Sequence, residues 1–332
     1  MMGNPMRRRE FITLLGGAAA AWPIAAQAQQ PGVPVIGFLH AGSPEVAPNL
    51  VAGFRKGLSE TGYVDGRNVA IEFRWAHNDN ARLPELAADL VRRRVAVIAT
   101  PNGALAALAA KAATATIPIV FNSTGDPVQA GLVASINRPG GNVTGVTDMA
   151  ADLVAKRLGL LHDLLPRAAR FAVLVDSNNP SAESEIADLR VAASAIARQI
   201  EVFTASTNRD IDAAFASLVQ KRADALLLTV SPLFGARRIQ FATLAARHGV
   251  PVMYRDRIFP EAGGLMSYGT SLADIYRQVG VYIGRVLKGE KPADLPILRP
   301  TKFEFVINLQ TARTLGIEVP PGLLAIADEV IE

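Results

Sequence analysis

Short apolar runs rich in valine and isoleucine alternate with segments of helical period from residue 35 onward. Such runs predict buried parallel strands, and apolar residues three or four apart predict the helices that connect them. In the first part of the chain this pattern predicts strands over 35–39, 69–75, 95–99 and 117–121, and helices over 48–60, 83–93 and 104–114.

The same alternation begins again near residue 171. It predicts strands over 171–175, 201–204, 225–229 and 252–254, and helices over 182–198, 211–221 and 239–248. Loop-level matches relate the two halves at offsets of 136, 130 and 133 residues. A nearly constant offset predicts an α/β fold with two doubly wound parallel-sheet lobes of the same topology.

Three short segments are candidates for the connections between the lobes, namely 142–148, 257–268 and 296–307. A long helix over 272–288 lies between the last two, and we expect residues 265–268 and this helix to return to the first lobe. Such a triple crossing makes a multi-strand hinge. The expected division is 33–147 with 258–292 for lobe 1 and 148–257 with 293–332 for lobe 2, with a ligand cleft between them.

The first 28 residues predict a twin-arginine export signal. They contain Arg8-Arg9-Glu10-Phe11-Ile12, an apolar stretch to Ala21 and a small-x-small site, Ala26-Gln27-Ala28. The apolar stretch is shorter than the roughly 20 residues that cross a bilayer. We therefore expect cleavage near Ala28 and a periplasmic location. Met6, directly before the arginines, is an alternative start to Met1.

Composition narrows the classes of function. The chain has 34 basic and 30 acidic residues and no cysteine. Residues 1–28 carry three arginines and one glutamate, so the remainder has a formal charge of +2. This balance gives no reason to expect a nucleic-acid partner. Without cysteine there are no disulfides, no thiolate metal sites and no attachment point for a lipid anchor, so we expect a protein free in the periplasm.

The carboxyl ends of parallel strands are where ligands bind in open α/β sheets. In the first lobe these ends carry small and polar residues that suit a carboxylate. The candidate ligand-binding residues there are His40, Ser43, Pro101, Asn102, Asn122, Ser123, Thr124 and Asp126. The alternative for Asn102, Ser123 and Asp126 is that each only caps the helix after it.

The second lobe offers an equivalent set, Asp176, Asn178, Asn179, Ser231, Phe234 and Tyr268. Asp176 directly follows an apolar strand and is a candidate partner for a ligand ammonium group; Asp148, near the first crossing, is a second candidate. Phe234 and Tyr268 are candidates for an apolar wall. The alternatives are helix capping for Asp176 and core packing for the aromatic rings.

Enzymatic interpretations find little support. The sequence contains no His-Glu-x-x-His pair, Gly-x-Ser-x-Gly elbow, phosphate loop or dinucleotide fingerprint. The glycine-rich stretch 139–145 predicts a turn. We expect no catalytic residues, metal or cofactor. The open alternatives are a sugar or polyol receptor of the same fold, an exported hydrolase using Asp126 or Asp176, and a ligand-gated DNA regulator, which would need a helix-turn-helix in place of the leader.

Several stretches match a known family. They are the leader motif RREF at 8–11, TGDPV at 124–128, NRPGGNVTG at 137–145, GGLMSYG at 263–269 and KFEFVIN at 302–308. Over its whole length the chain resembles the ABC transporter substrate-binding family that includes tryptophan- and phenylalanine-binding members.

This resemblance implies a type I periplasmic binding protein with three crossovers, which delivers a small solute to an ABC permease in the inner membrane. It implies an amino acid, aromatic or branched, or a similar small carboxylate as ligand. The carboxylate would meet Asn102 and Ser123-Thr124, and the second lobe would close through Asn178 and Ser231.

Overall fold

The computed structural model describes residues 32–148, 153–179, 182–229 and 231–332. The predicted leader lies outside them. The strands are β1 Val35–His40, β2 Ala70–Trp75, β3 Val97–Thr100, β4 Ile119–Thr124, β5 Val143–Asp148, β6 Arg170–Asp176, β7 Gln199–Ala205, β8 Ala225–Leu228, β9 Val252–Tyr254, β10 Met266–Thr270, β11 Phe303–Asn308 and β12 Glu329–Ile331.

The seven predicted helices lie within three residues of their predicted bounds, and five further helices, over 154–164, 232–236, 258–261, 309–314 and 321–326, were not predicted. In chain order the helices are α1 Pro48–Glu60, α2 Leu83–Arg92, α3 Gly103–Ala113, α4 Val154–Leu164, α5 Ala182–Ala195, α6 Asn208–Gln220, α7 Pro232–Ala236, α8 Arg238–His248, α9 Ile258–Glu261, α10 Leu272–Leu287, α11 Leu309–Thr314 and α12 Pro321–Ile326. In the described part of the chain, no helix is long and apolar enough to span a membrane.

The first lobe is built on a parallel sheet in the order β2-β1-β3-β4-β5. Alternate side chains of its strands enter two apolar clusters. One cluster lies against α1 and α10, and the other lies against α2 and α3. Because both faces are covered, the central strands are apolar on both sides, and this is the pattern that the sequence displays.

The second lobe has a sheet in the order β12-β11-β10-β9-β8-β6-β7, which is parallel except for the antiparallel pair β10 and β11. Helices α4 and α5 contribute to the apolar cluster on one face, and α6 and α8 contribute to the cluster on the other. The predicted fold class, two doubly wound parallel-sheet lobes, is therefore confirmed.

The segments that connect the two lobes differ from the predicted ones. Segment 142–148 is not a connection, because it contains β5, which pairs with β4 along its whole length. Residues 265–268 do not return to the first lobe, since β10 pairs with β9 and β11 in the second sheet. Of these two segments, only α10 returns to the first lobe, where it packs against α1. The second crossing therefore falls between Thr270 and Leu272 rather than near residue 258.

The third crossing also moves. Leu298 pairs with Val146 of β5, so the segment before it still belongs to the first sheet. The backbone N–H of Ser271 donates to the carbonyl of Lys302, and β11 begins at Phe303 in the second sheet. The chain therefore passes between lobes after Asp148, at Ser271 and between Leu298 and Phe303.

Helices α1 and α10 pack with their backbones almost in contact. A Cβ atom at Gly57 would overlap the carbonyl oxygen of Arg277, and one at Gly280 would overlap that of Phe54. Glycine at these positions is what allows the late helix to lie so close to the early one. This contact fixes α10 on the first lobe.

Candidate functional site

The carboxyl ends of both sheets meet at Asp148. This residue ends β5 of the first sheet, and its side chain is fully buried. Arg255, which follows β9 of the second sheet, forms an ion pair with one carboxylate oxygen, and the hydroxyl of Thr270 donates to the other at 2.8 Å. Two of the three crossings are thus joined through one carboxylate.

The first rim comprises the residues at the carboxyl ends of β1, β3 and β4. Here His40 is 2% exposed and lies between Tyr276, whose hydroxyl is 2.9 Å from Nε2, and the amide of Asn102. The backbone N–H of Gly42 donates to Nδ1 at 2.9 Å. Burial lowers the pKa of His40 to about 4, so the ring is neutral at neutral pH. Burial likewise raises the pKa of Tyr276.

The β3 and β4 ends are linked to one another. The amide of Asn122 donates to the carbonyl of Pro101 at 3.3 Å. Asn122 Oδ1, Ser123 Oγ and Thr100 Oγ1 are buried and lack a hydrogen-bond partner within the described ranges. Buried polar atoms ordinarily have partners, so these three atoms on adjacent strand ends are candidates for contact with a ligand.

Capping explains some of the predicted residues and not others. Asn102 precedes α3, yet its side chain makes no cap hydrogen bond. Asp126, by contrast, accepts hydrogen bonds from the backbone N–H of Val128 at 2.7 Å and of Gln129, so it holds the turn after β4. Ser43 hydrogen-bonds to the carboxylate of Glu45 and lowers its pKa. Thr124 is exposed at the end of β4.

The second rim comprises the residues after β6, β8 and β9. Asp176 is 6% exposed; its Oδ1 accepts from the backbone N–H of Asn178 at 2.9 Å, and its Oδ2 accepts from the hydroxyl of Ser231 at 2.5 Å. Ser231 also caps α7. Asp176 thus joins two loops of the second lobe through neutral donors, and Asn179 lies half-buried beside them.

The predicted apolar wall is corrected. Phe234 is 1% exposed and packs edge-on against Phe241, with ring centroids 5.2 Å apart, inside the second-lobe core. Its ring therefore stabilises the lobe and does not line the rim. Tyr268 is half-buried on β10, with ring centroids 6.2 Å from both Phe303 and Phe305.

The sequence places Arg255 in the loop after β9, one of the second-lobe loops equivalent to the candidate loops of the first lobe, but it assigns this residue no role. In the structure its side chain is 9% exposed and pairs with a carboxylate 107 positions earlier in the chain. An arginine directly after an apolar strand was the available signal, and its partner was not.

The comparisons agree with this architecture. Residues 39–331 match the ABC transporter substrate binding protein family, and the chain belongs to it. Members of this family are binding proteins, so the chain is a substrate-binding protein and not an enzyme.

Among its relatives is a tyrosine-binding protein of Clostridioides difficile strain R20291, 29% identical over 269 residues that make up 80% of this chain and 76% of the relative. Two solved structures are also similar. One is an ABC domain in complex with L-Trp from Streptococcus pneumonia, with a TM-score of 0.80, 26% identity and coverage of 90% of this chain and 99% of that chain. The other is a ligand-free, open substrate-binding protein from Clostridium difficile, with a TM-score of 0.71, 26% identity and the same coverage.

Proposed function

We propose that this protein is the periplasmic receptor of an ABC importer and binds an aromatic α-amino acid in the cleft between its lobes. The observation that carries the proposal is that each rim has buried polar groups that the described protein groups do not satisfy, and that these groups differ between the rims. Among the described residues, the first rim offers buried side-chain atoms without partners, and the second offers a buried carboxylate without a cation.

The first rim suits the ligand carboxylate. The hydroxyls of Ser123 and Thr100 are able to donate, and neither is engaged by the described protein groups. Charge-assisted hydrogen bonds of this kind contribute about 1.5–3 kcal/mol each. These two, with a third between the ligand ammonium group and a carboxylate of the second rim and with an apolar contact, reach the roughly −8 kcal/mol of micromolar binding.

The ammonium group is assigned to Asp176 rather than Asp148. Asp148 already has a cation, Arg255, and both of its oxygens are engaged across the lobes. Asp176 receives hydrogen bonds from neutral donors only, and within the described residues no basic side chain lies at ion-pair distance from it. A buried carboxylate without a cation favours a positively charged ligand group.

An aromatic side chain is supported by the relatives, one a tyrosine-binding protein and another solved in complex with L-Trp. A sugar receptor is less well supported, because sugar sites use a free aromatic face. Trp75 instead packs against the rings of His40, at 4.6 Å between centroids, and Phe73.

Closure about the hinge is the second part of the proposal. The chain superimposes on the L-Trp complex with a TM-score of 0.80 and on the ligand-free, open relative with 0.71. The Asp148–Arg255 ion pair lies beside the crossings, where a hinge rotation displaces atoms least. It therefore holds the lobes together in both states, and the ligand adds contacts that only the closed state makes.

Calorimetry of the purified chain with L-tyrosine, L-tryptophan, L-phenylalanine and glucose tests the binding part. The amino acids should bind and glucose should not. Tryptamine, which lacks the carboxylate, and indole-3-propionate, which lacks the ammonium group, should each bind at least tenfold more weakly than L-tryptophan. Asp176→Asn should remove the preference for L-tryptophan over indole-3-propionate, whereas Asp188→Asn, on the exposed side of α5, should not.

The cysteine-free chain offers a clean test of closure. Cysteines placed at Leu105 and Ile239, which are 56% and 67% exposed on the first and second lobes, accept spin labels without background. The distance between the labels should shorten when L-tryptophan is added. An unchanged distance at saturating ligand would rule out hinge closure.

Export is tested separately. The leader lies outside the described residues, and we infer its role from the paired arginines and the site at Ala28. The mature protein should appear in the periplasmic fraction with Gln29 at its N-terminus. Replacing Arg8 and Arg9 by lysine should retain the precursor in the cytoplasm.

A further inference from the structure

Two buried threonines of β5 donate their hydroxyl protons to backbone carbonyls outside the strand. Thr147 donates to the carbonyl of Gly125 at 2.8 Å, and Thr144 donates to that of Leu295 at 2.7 Å. The two acceptors lie in different parts of the first lobe. Gly125 directly follows the first-rim residues 123–124, whereas Leu295 lies in the segment that leads to the third crossing. Only the Thr147 contact therefore acts on the candidate site.

The backbone of Thr147 is held on two sides. In the register of β4 and β5 its Cα partner is Ser123, and its N–H donates to the carbonyl of Leu298 at 2.9 Å. The threonine is thus fixed between the first rim and the third crossing. Its hydroxyl is presented to Gly125 from a strand that is itself in place.

Paired residues of neighbouring strands present their side chains on the same face of the sheet, where threonine and serine hydroxyls are able to bond to each other. A threonine hydroxyl has a single proton to donate, and Thr147 gives it to Gly125. Ser123 Oγ, on the same face, is buried and has no hydrogen-bond partner among the described residues. Its proton is therefore not used by the pair.

The turn after β4 depends on the same contact. Gly125 has a φ of +82°, in the left-handed region that glycine adopts without strain. Asp126 accepts from the backbone N–H groups of Val128 and Gln129, so its contacts lie within the loop. The Thr147 hydroxyl instead joins the start of this loop to the sheet, and so sets the direction in which the chain leaves β4.

We propose that Thr147 is a positioning residue for the first rim: its hydroxyl holds the carbonyl of Gly125, fixes the turn after β4 and leaves the Ser123 hydroxyl free to donate to the ligand carboxylate. This inference rests on the proposed binding of an amino acid. Without the Thr147 hydroxyl the carbonyl of Gly125 loses its donor, and Ser123 on the same face is able to turn to it instead.

The fixed turn is measured without any ligand, from the NMR order parameter of the Gly125 backbone. Thr147→Val keeps the shape of the side chain and removes the donor, so the order parameter should fall from about 0.85, typical of rigid backbone, toward about 0.6. Thr144→Val is the matched control, since it also loses one buried hydrogen bond but leaves Gly125 held. An unchanged order parameter in Thr147→Val would overturn the proposal even if the protein binds amino acids.

Calorimetry with L-tryptophan then tests the consequence for binding. Thr147→Val should weaken binding about tenfold, the size of one hydrogen bond. Thr147→Ser, which keeps the hydroxyl, should lose less than about threefold, and so should Thr144→Val. Both valine variants should lower the urea midpoint. Equal affinities of the two valine variants would mean that Thr147 serves stability alone, and the proposal would be wrong.

A double-mutant cycle tests whether Thr147 acts through Ser123. In the Ser123→Ala background, Thr147→Val should cost little further affinity, because the hydroxyl that it frees from competition is already absent. Additive losses would contradict this route. Failure of the unaltered protein to bind L-tryptophan would count against the proposed function, and the order parameters would then decide alone whether Thr147 holds the turn.

Discussion

The two rims of this protein are built from similar loops, yet they satisfy their polar groups differently. On the first rim, Ser123 Oγ and Asn122 Oδ1 are buried without partners in the described structure. On the second rim, Asp176 and Ser231 hydrogen-bond to each other at 2.5 Å and tie two loops together. The first rim thus has polar atoms free for the proposed ligand, whereas those of the second rim mainly bind one another.

This difference indicates how each rim would contribute to ligand binding. Under the proposed function, a ligand forms most of its hydrogen bonds on the first rim, where the protein gives up no internal contact to bind it. The second rim adds the charge of Asp176 without dismantling the Asp176–Ser231 bond, because a carboxylate oxygen can accept more than one hydrogen bond. We therefore expect first-rim substitutions to act on affinity and second-rim substitutions to act on stability as well.

Breaking the ion pair between Asp148 and Arg255, which connects the two rims, should give the largest loss of stability. Asp148→Asn leaves Arg255 buried without its carboxylate, and removal of one partner of a buried ion pair costs about 3–5 kcal/mol. Urea unfolding should show this loss, whereas Asp163→Asn on the exposed side of α4 should change stability little. If Asp148→Asn proves neutral, the pair is not a structural joint.

The packing of α1 against α10 in the first lobe should give the next largest loss of stability. Gly57→Ala places a methyl group against the carbonyl of Arg277, so α1 and α10 must separate at a cost of about 3 kcal/mol. The matched control is Gly159→Ala in α4, where nothing lies within 4 Å of the added atom. That change should stabilise by about 0.5–1 kcal/mol, since alanine is the better helix former. Equal effects in the two helices would contradict the close packing.

Acid should destabilise the first rim through His40. Its folded pKa, about 4, is below the unfolded value of 6.5, so the unfolded state binds more protons between these values and stability falls as the pH drops through this window. From pH 7 to pH 5 the loss from this residue is about 2 kcal/mol. The acid sensitivity of His40→Gln, measured by urea unfolding at both pH values, should be smaller by that amount.

The smallest effects on stability compare the two serines directly. Ser123→Ala should leave the melting temperature unchanged but weaken L-tryptophan binding by about 1.5–3 kcal/mol, because the hydroxyl is assigned to the ligand alone. Ser231→Ala should lower stability by about 1 kcal/mol, since it removes the bond to Asp176 and a helix cap. The reverse pattern would invert the comparison between the rims.

Periodicity in the sequence was sufficient to predict the two sheets but not their last strands. The segment VTGVTD at 143–148 resembles a turn, and only its pairing with β4 makes it a strand. Gly145 is required there because a Cβ atom would overlap the carbonyl of Phe121, a contact between strands that local composition does not report.

For the candidate site, the positions of the rim residues were predicted, but their long-range contacts were not. The rim residues followed from their positions after apolar strands, and the structure brings His40, Asn102 and Asn122 together at one edge as expected. The role of Arg255 depends on Asp148, and the surroundings of His40 depend on Tyr276 from a late helix. Contacts between residues so distant in the chain leave no mark on local sequence patterns.

The return of α10 to the first lobe also constrains how the chain is made. When the ribosome has produced β1 to β5 and α1, the apolar face carrying Phe38, Phe54 and Val120 still lacks the helix that covers it. That helix emerges more than a hundred residues later, and the second sheet waits even longer for β12. We therefore expect a nascent molecule to expose this apolar face until α10 has been made, and to be prone to aggregation during that time.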